Sequence, residues 1–93
     1  MPYYKQINNV RYDRKLLSKA LKLMSEDRNL QITEEGIKQL WEEAQDGGRV
    51  TDCERKTLEY IVINYETTAE AKQFLNYKLF LLFGTFFSNN VNN

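Results

Sequence analysis

The side chains able to do chemistry in this chain gather in one stretch, QDGGRVTDCE, running from Gln45 to Glu54. Two adjacent glycines have an acidic residue on each side, and the chain's single cysteine, Cys53, follows. Oxygen donors around a glycine turn suit a hard cation, and a thiol at a helix start suits nucleophilic chemistry. Other constellations are missing. With no histidine, the commonest general base, the Ser-His and Cys-His pairs and nearly every transition-metal site are excluded. The carboxylate pairs Glu34/Glu35 and Glu42/Glu43 are sequence neighbours, so on a helix they point to different faces. No phosphate-cradling Gly-x-Gly or Walker pattern occurs. At the start of a helix the dipole would lower the Cys53 pKa; without an imidazole partner, Cys53 still reads as an inert or half-buried thiol. The expectation is a non-catalytic protein.

Helices must carry these residues. From Asp13 to Glu26, apolar residues fall at Leu16, Leu17, Ala20, Leu21, Leu23 and Met24, a helical stripe for which Asp13 is the N-cap. Thr33 caps a second helix, with Ile32 and Ile37 spaced as a hydrophobic staple. Ile37, Leu40, Trp41 and Ala44 then follow i, i+3, i+4, i+7 as one core-facing stripe. Gly47 and Gly48 supply the left-handed residue that ends it. Thr51-x-x-Glu54 is a capping box that starts a third helix, whose stripe is Leu58, Ile61, Val62 and Tyr65. Thr67-x-x-Glu70 reads as a second box, opening a helix with Ala71, Phe74, Leu75, Leu79 and Leu82, and Gly84 is its C′ residue. Strand signals are nearly absent, with Leu79 to Phe87 the single competitor. The predicted architecture is an all-α bundle of about four helices, approximately 13–26, 34–46, 52–66 and 68–83. It forms one domain over residues 1–93, with flexible ends at 1–10 and 88–93.

With its elements placed, the loop can be compared with known calcium sites. Setting Gly48 at position six of a twelve-residue loop puts Glu43 first, Val50 eighth and Glu54 last. The region 25–66 thereby resembles an EF-hand-like helix–loop–helix in degenerate form, or the similar turn of tellurite-resistance TerB-type domains. The resemblance implies that calcium, if bound, would be held by Glu43, Gln45, Arg49 (through its carbonyl), Thr51 and Glu54. The sequence departs from the pattern where charge is needed: position one is glutamate, position three Gln45, and position five Gly47, which has no side-chain oxygen. A fainter copy, Ser25 to Gly36, places Ser25, Asp27 and Asn29 at ligand positions and Ile32 at eight. It has Leu30 where the turn glycine belongs and Gly36 where the closing glutamate belongs. The expected cofactor is therefore none, with calcium binding the alternative.

Thirteen basic and thirteen acidic side chains cancel, so net charge selects no partner. Their distribution is uneven. Residues 1–28 hold seven bases against three acids, and residues 34–54 hold seven acids against two bases. A basic first helix beside an acidic second one reads as attraction within the fold. The second alternative is nucleic-acid binding, with Arg11, Lys15, Lys19 and Lys22 along one face of the first helix and Tyr3, Tyr4 and Tyr12 close by to stack on bases. The single cysteine, the lack of a glycosylation sequon and an N-terminus without an apolar signal core make a cytoplasmic location the default.

The C-terminal run LFLLFGTFF, Leu79 to Phe87, covers every side of a helix with apolar residues and is far shorter than the ~20 residues that span a bilayer. It is either a central helix ringed by the others or a surface for a partner or a second copy. The leading expectation is a small protein-binding module of adaptor, inhibitor or immunity type. Its expected interface residues are Trp41, Tyr60, Phe80, Phe83, Phe86 and Phe87, because exposed aromatics concentrate binding energy.

Overall fold

Asp13 is the residue from which the fold is most easily understood, because it ends one element and begins another. In the computed structural model, which describes residues 4–7, 10–45 and 47–84, the order is β1 (Tyr4–Ile7), β2 (Val10–Asp13), α1 (Arg14–Glu26), α2 (Glu34–Ala44), α3 (Asp52–Asn64) and α4 (Ala69–Phe83). The buried Asp13 carboxylate accepts from the Leu16 amide at 3.1 Å, capping α1. Its own amide donates to Thr57 Oγ1 at 2.8 Å, and that hydroxyl donates to the Cys53 carbonyl at 2.7 Å. One buried threonine thus ties β2 to α3 with both of its hydrogen-bonding functions in use.

The hairpin is a departure from the sequence reading, which placed no strand here. β1 and β2 pair antiparallel, with Tyr4 opposite Asp13 and Ile7 opposite Val10. Two four-residue strands bury too little to stand alone. This pair is held because Ile7 and Tyr12 pack against the helical core. The Tyr12 ring lies 4.7 Å from that of Tyr60 on α3, and Tyr60 meets Tyr65 edge-on at 6.2 Å. The missed signal was β-forming Tyr, Ile and Val on either side of Asn8-Asn9, too short a pattern to outweigh the helical stripes.

The helices otherwise start and stop where local chemistry dictates. Thr33 accepts from Gly36 at 3.3 Å, and the Thr51–Glu54 box is complete in both directions. Gly84 ends α4 at φ 71°, its amide donating to the Phe80 carbonyl at 2.8 Å. At the start of α4 the predicted box is off by one residue. Thr68 is the N-cap, accepting from the Ala71 amide at 3.2 Å, while Thr67 Oγ1 donates to the Tyr65 carbonyl. A long-range contact decides this register: Ile32 donates to the Glu66 carbonyl at 2.7 Å and accepts from the Thr68 amide at 3.0 Å. That short parallel bridge between Ile32 and Thr67 joins the segments that lead into α2 and α4.

The core is the sum of the stripes. Leu16, Leu17 and Ala20 of α1, Ile37, Leu40, Trp41 and Ala44 of α2, Leu58, Ile61 and Val62 of α3, and Ala71, Leu75 and Leu79 of α4 are buried, together with Ile32 and Val50 from the loops. Ile32 and Ile37, the predicted staple, both lie in this cluster. Leu21, expected on the α1 stripe, is half exposed, and Leu82, expected on that of α4, is 54% exposed. α4 packs chiefly on α2 and is not ringed by the other helices.

Candidate functional site

The loop that drew attention in the sequence is occupied with its own architecture. Gly48 takes φ +95°, a conformation that glycine adopts without strain, and its amide donates to the Gln45 carbonyl at 2.8 Å. Val50 turns inward and is buried. Glu54, the closing position in the calcium comparison, accepts from the Thr51 amide at 2.8 Å, and Thr51 Oγ1 accepts from the Glu54 amide at 3.1 Å. Glu43 is taken by α1: its carboxylate lies 2.8 Å from Lys15 Nζ and 3.7 Å from Lys19 Nζ. The hydrogen bond from Lys15, followed by the positive charges of both lysines, holds the Glu43 carboxyl below the usual glutamate range. Gln45 and Arg49 are exposed on the loop, and Asp46 lies outside the described residues. Among the described residues no three acidic, cysteine or histidine side chains converge as a metal site would require.

Cys53 sits one residue into α3, half-buried, its thiol 3.7 Å from the Arg11 carbonyl, to which it donates. Burial raises its pKa, and the nearby negative charge of Asp13 raises it further. The lowering expected from the helix dipole is therefore reversed, because removal from water and an adjacent carboxylate both disfavour the thiolate.

The basic stripe is divided between two elements. Arg11 belongs to β2 and not to α1, and its guanidinium lies over the Tyr4 ring at 5.1 Å. Lys15, Lys19 and Lys22 do share one side of α1, where with Glu26, Gln39 and Glu43 they border a groove between α1 and α2. Glu42 and Glu43 stand at the C-terminal end of α2, where the helix dipole disfavours negative charge. The lysine pair from α1 offsets that cost at Glu43, so the uneven charge distribution serves, at these contacts, as attraction within the fold.

The expected interface residues separate sharply. Trp41 is 5% exposed in the core between the helices and cannot serve as a surface anchor; its place on the i, i+3, i+4, i+7 stripe of α2 decides this. Tyr60 is half-buried inside the Tyr12–Tyr60–Tyr65 cluster, where burial and then the neighbouring Tyr60 raise the Tyr65 pKa. Phe80 and Phe83 are exposed, at 45% and 37%. The Phe83 ring lies 5.4 Å from the Arg55 guanidinium, which is itself held by Asp52 and Glu59 of α3. Phe86 and Phe87 lie outside the described residues.

Three residues that sequence reasoning missed complete this surface: Tyr77, Leu81 and Leu82, at 59%, 58% and 54% exposure. A signal for two of them was present. Once Ala71, Leu75 and Leu79 define the inward side of α4, Tyr77 and Leu81 fall on the opposite side at 100° per residue. The result is an apolar surface on the second half of α4, close to the size at which exposed apolar patches mark interaction sites. No helix among the described residues is long and apolar enough to cross a membrane. No family model matches the chain, and no curated protein or solved structure matches it significantly.

Proposed function

We propose that this chain is a non-catalytic protein-binding module of adaptor, inhibitor or immunity type, working through the outer surface of α4. The observation that carries the reading is the exposure of Tyr77, Phe80 and Leu81 on the side of α4 away from the buried Ala71, Leu75 and Leu79, with Leu82 and Phe83 also exposed at its C-terminal end. Large apolar side chains left in water on a folded domain of this size are best accounted for by a partner that covers them. The polar candidates give less support to other readings. Glu43 and Glu54 have partners within the protein, and Lys15 and Lys19 are turned toward Glu43.

The test compares capture by three immobilised proteins: the wild type, Leu81→Glu on the α4 surface, and Lys22→Glu on the α1 groove. Each is first checked for unchanged helicity. A partner retained by the wild type and Lys22→Glu but lost by Leu81→Glu is the expected result. Identical capture by all three would remove the α4 surface from consideration.

A further inference from the structure

We infer that the outer surface of α4 takes an amphipathic helix of a partner protein whose apolar side chains are flanked by a carboxylate, and that Lys78 reads that carboxylate. The inference rests on the α4 surface being the working surface, as proposed above, and adds the chemistry of what it binds. Phe74, Tyr77 and Leu81 recur at spacings of three and four, the repeat by which two helices lie along one another. At 100° per residue Phe74 and Leu81 stand nearly above one another, with Tyr77 to one side and Lys78 to the other. Tyr77 and Leu81 are exposed, while Phe74 and Lys78 are half-buried.

Phe74 fixes the charge beside this strip. The Lys78 ammonium lies 5.5 Å from the centre of the Phe74 ring, and the Lys38 ammonium, reaching across from α2, lies 5.6 Å from it. Attraction to the ring holds both cations against apolar surface. They differ in what else they meet. Lys38 lies 3.6 Å from the Glu34 carboxylate, one turn earlier on α2. Lys78 has no ion-pair partner among the described residues. From Ala71 to Asn93 the sequence carries Lys72 and Lys78 and no acidic side chain. The last acid, Glu70, stands in the first turn of α4, about 12 Å along the axis from Lys78.

That charge selects the occupant. A wholly apolar partner laid on Tyr77 and Leu81 would strip water from the Lys78 ammonium and give nothing in return, a cost that discriminates against it. A carboxylate beside the partner's apolar side chains removes the cost and adds a charge-assisted hydrogen bond. A second copy of α4 has no acid to offer along this half of the helix. A phosphate backbone supplies the anion but no apolar side chain for Tyr77 and Leu81. An acidic amphipathic helix supplies both, in the manner of helix-in-groove recognition.

The experiment pans a phage-displayed library of random peptides about 15 residues long, roughly four helical turns, against the immobilised full chain, with Leu81→Glu as the counter-selecting protein. Enriched peptides are expected to combine an apolar i, i+3 or i, i+4 repeat with Asp or Glu. One such peptide, synthesised and titrated by fluorescence anisotropy, should lose about tenfold in affinity on Lys78→Glu, with a smaller loss on Lys38→Gln, whose charge Glu34 already offsets. Replacing its acid by Lys should restore binding to Lys78→Glu and not to the wild type, a charge swap that a purely structural role for Lys78 would not produce. Enriched peptides with no preference for an acid, or an affinity indifferent to Lys78→Glu, overturn the inference and leave the binding-module reading in place. A library that yields no clone dependent on Leu81 overturns it as well, and the capture comparison above then decides the binding-module reading by itself.

Discussion

α2 and α4 pack on one another, yet they use their apolar residues in opposite ways. In α2, Ile37, Leu40, Trp41 and Ala44 form one stripe and all are buried. In α4, apolar residues surround the helix, and Ala71, Leu75 and Leu79 are the buried ones, leaving Tyr77 and Phe80 to Phe83 outside. A one-sided helix satisfies its hydrophobic residues entirely within the domain. An all-round helix at the edge of a bundle cannot, and its surplus is what remains available to another molecule.

The contrast can be broken most directly at its largest side chains. Trp41→Ala should cost about 3–5 kcal/mol of folding stability, enough to unfold a marginal domain, whereas Phe80→Ala should stay within about 0.5 kcal/mol in the monomer. Urea denaturation at low protein concentration reads both, and comparable losses would show that α4's outer side is part of the core. The same comparison can be made within α4 itself. Leu79→Ala should cost about 2–5 kcal/mol and Leu81→Ala about 0.5 kcal/mol or less, although the two residues are only two positions apart.

Smaller effects test what the two helices share. Thr33→Ala and Thr68→Ala each remove a hydroxyl that accepts from the third helical amide, so each should lose about 1 kcal/mol. Thr67→Ala should lose less than Thr68→Ala; the reverse order in thermal melts would reinstate the box read from the sequence.

The smallest effect concerns pH, and it should come from α2 and not from the uncharged end of α4. The folded-state pKa of Glu43 is depressed below the ordinary 4.5. Its stabilisation is therefore fully present above that value and is lost as pH falls through the lower folded-state value. For a pair this close to the surface the effect is about 0.5 kcal/mol. Glu43→Gln should flatten that part of the stability–pH curve, while Phe83→Ala should leave its shape unchanged.

The legibility of each feature in the sequence follows its range along the chain. N-caps at Asp13, Thr33 and Thr51 and the C′ glycine at Gly84 are contacts across three or four residues, so their residue types announce them. The one cap misread, at Thr67 and Thr68, is the one in which a distant strand-like contact from Ile32 takes part. In the sequence Arg11 falls in line with the basic side of α1, four residues before Lys15, although it belongs to β2. The hairpin that removes it depends on Thr57, which is 44 residues from Asp13. Likewise, the paired lysines of Glu43 come from another helix, and this turned a prospective calcium ligand into a tie between α1 and α2.

By itself, then, the sequence determined an all-α domain of four capped helices, the three one-sided stripes that form most of its core, and the lack of histidine chemistry. The tertiary structure decided that a two-stranded hairpin closes over α3, that Trp41 is core, and which side of α4 faces outward. The physical reason is that a stripe names its own buried side, because burying the other would desolvate charge. A helix that is apolar all round names none, and its orientation is set by where α2 stands beside it.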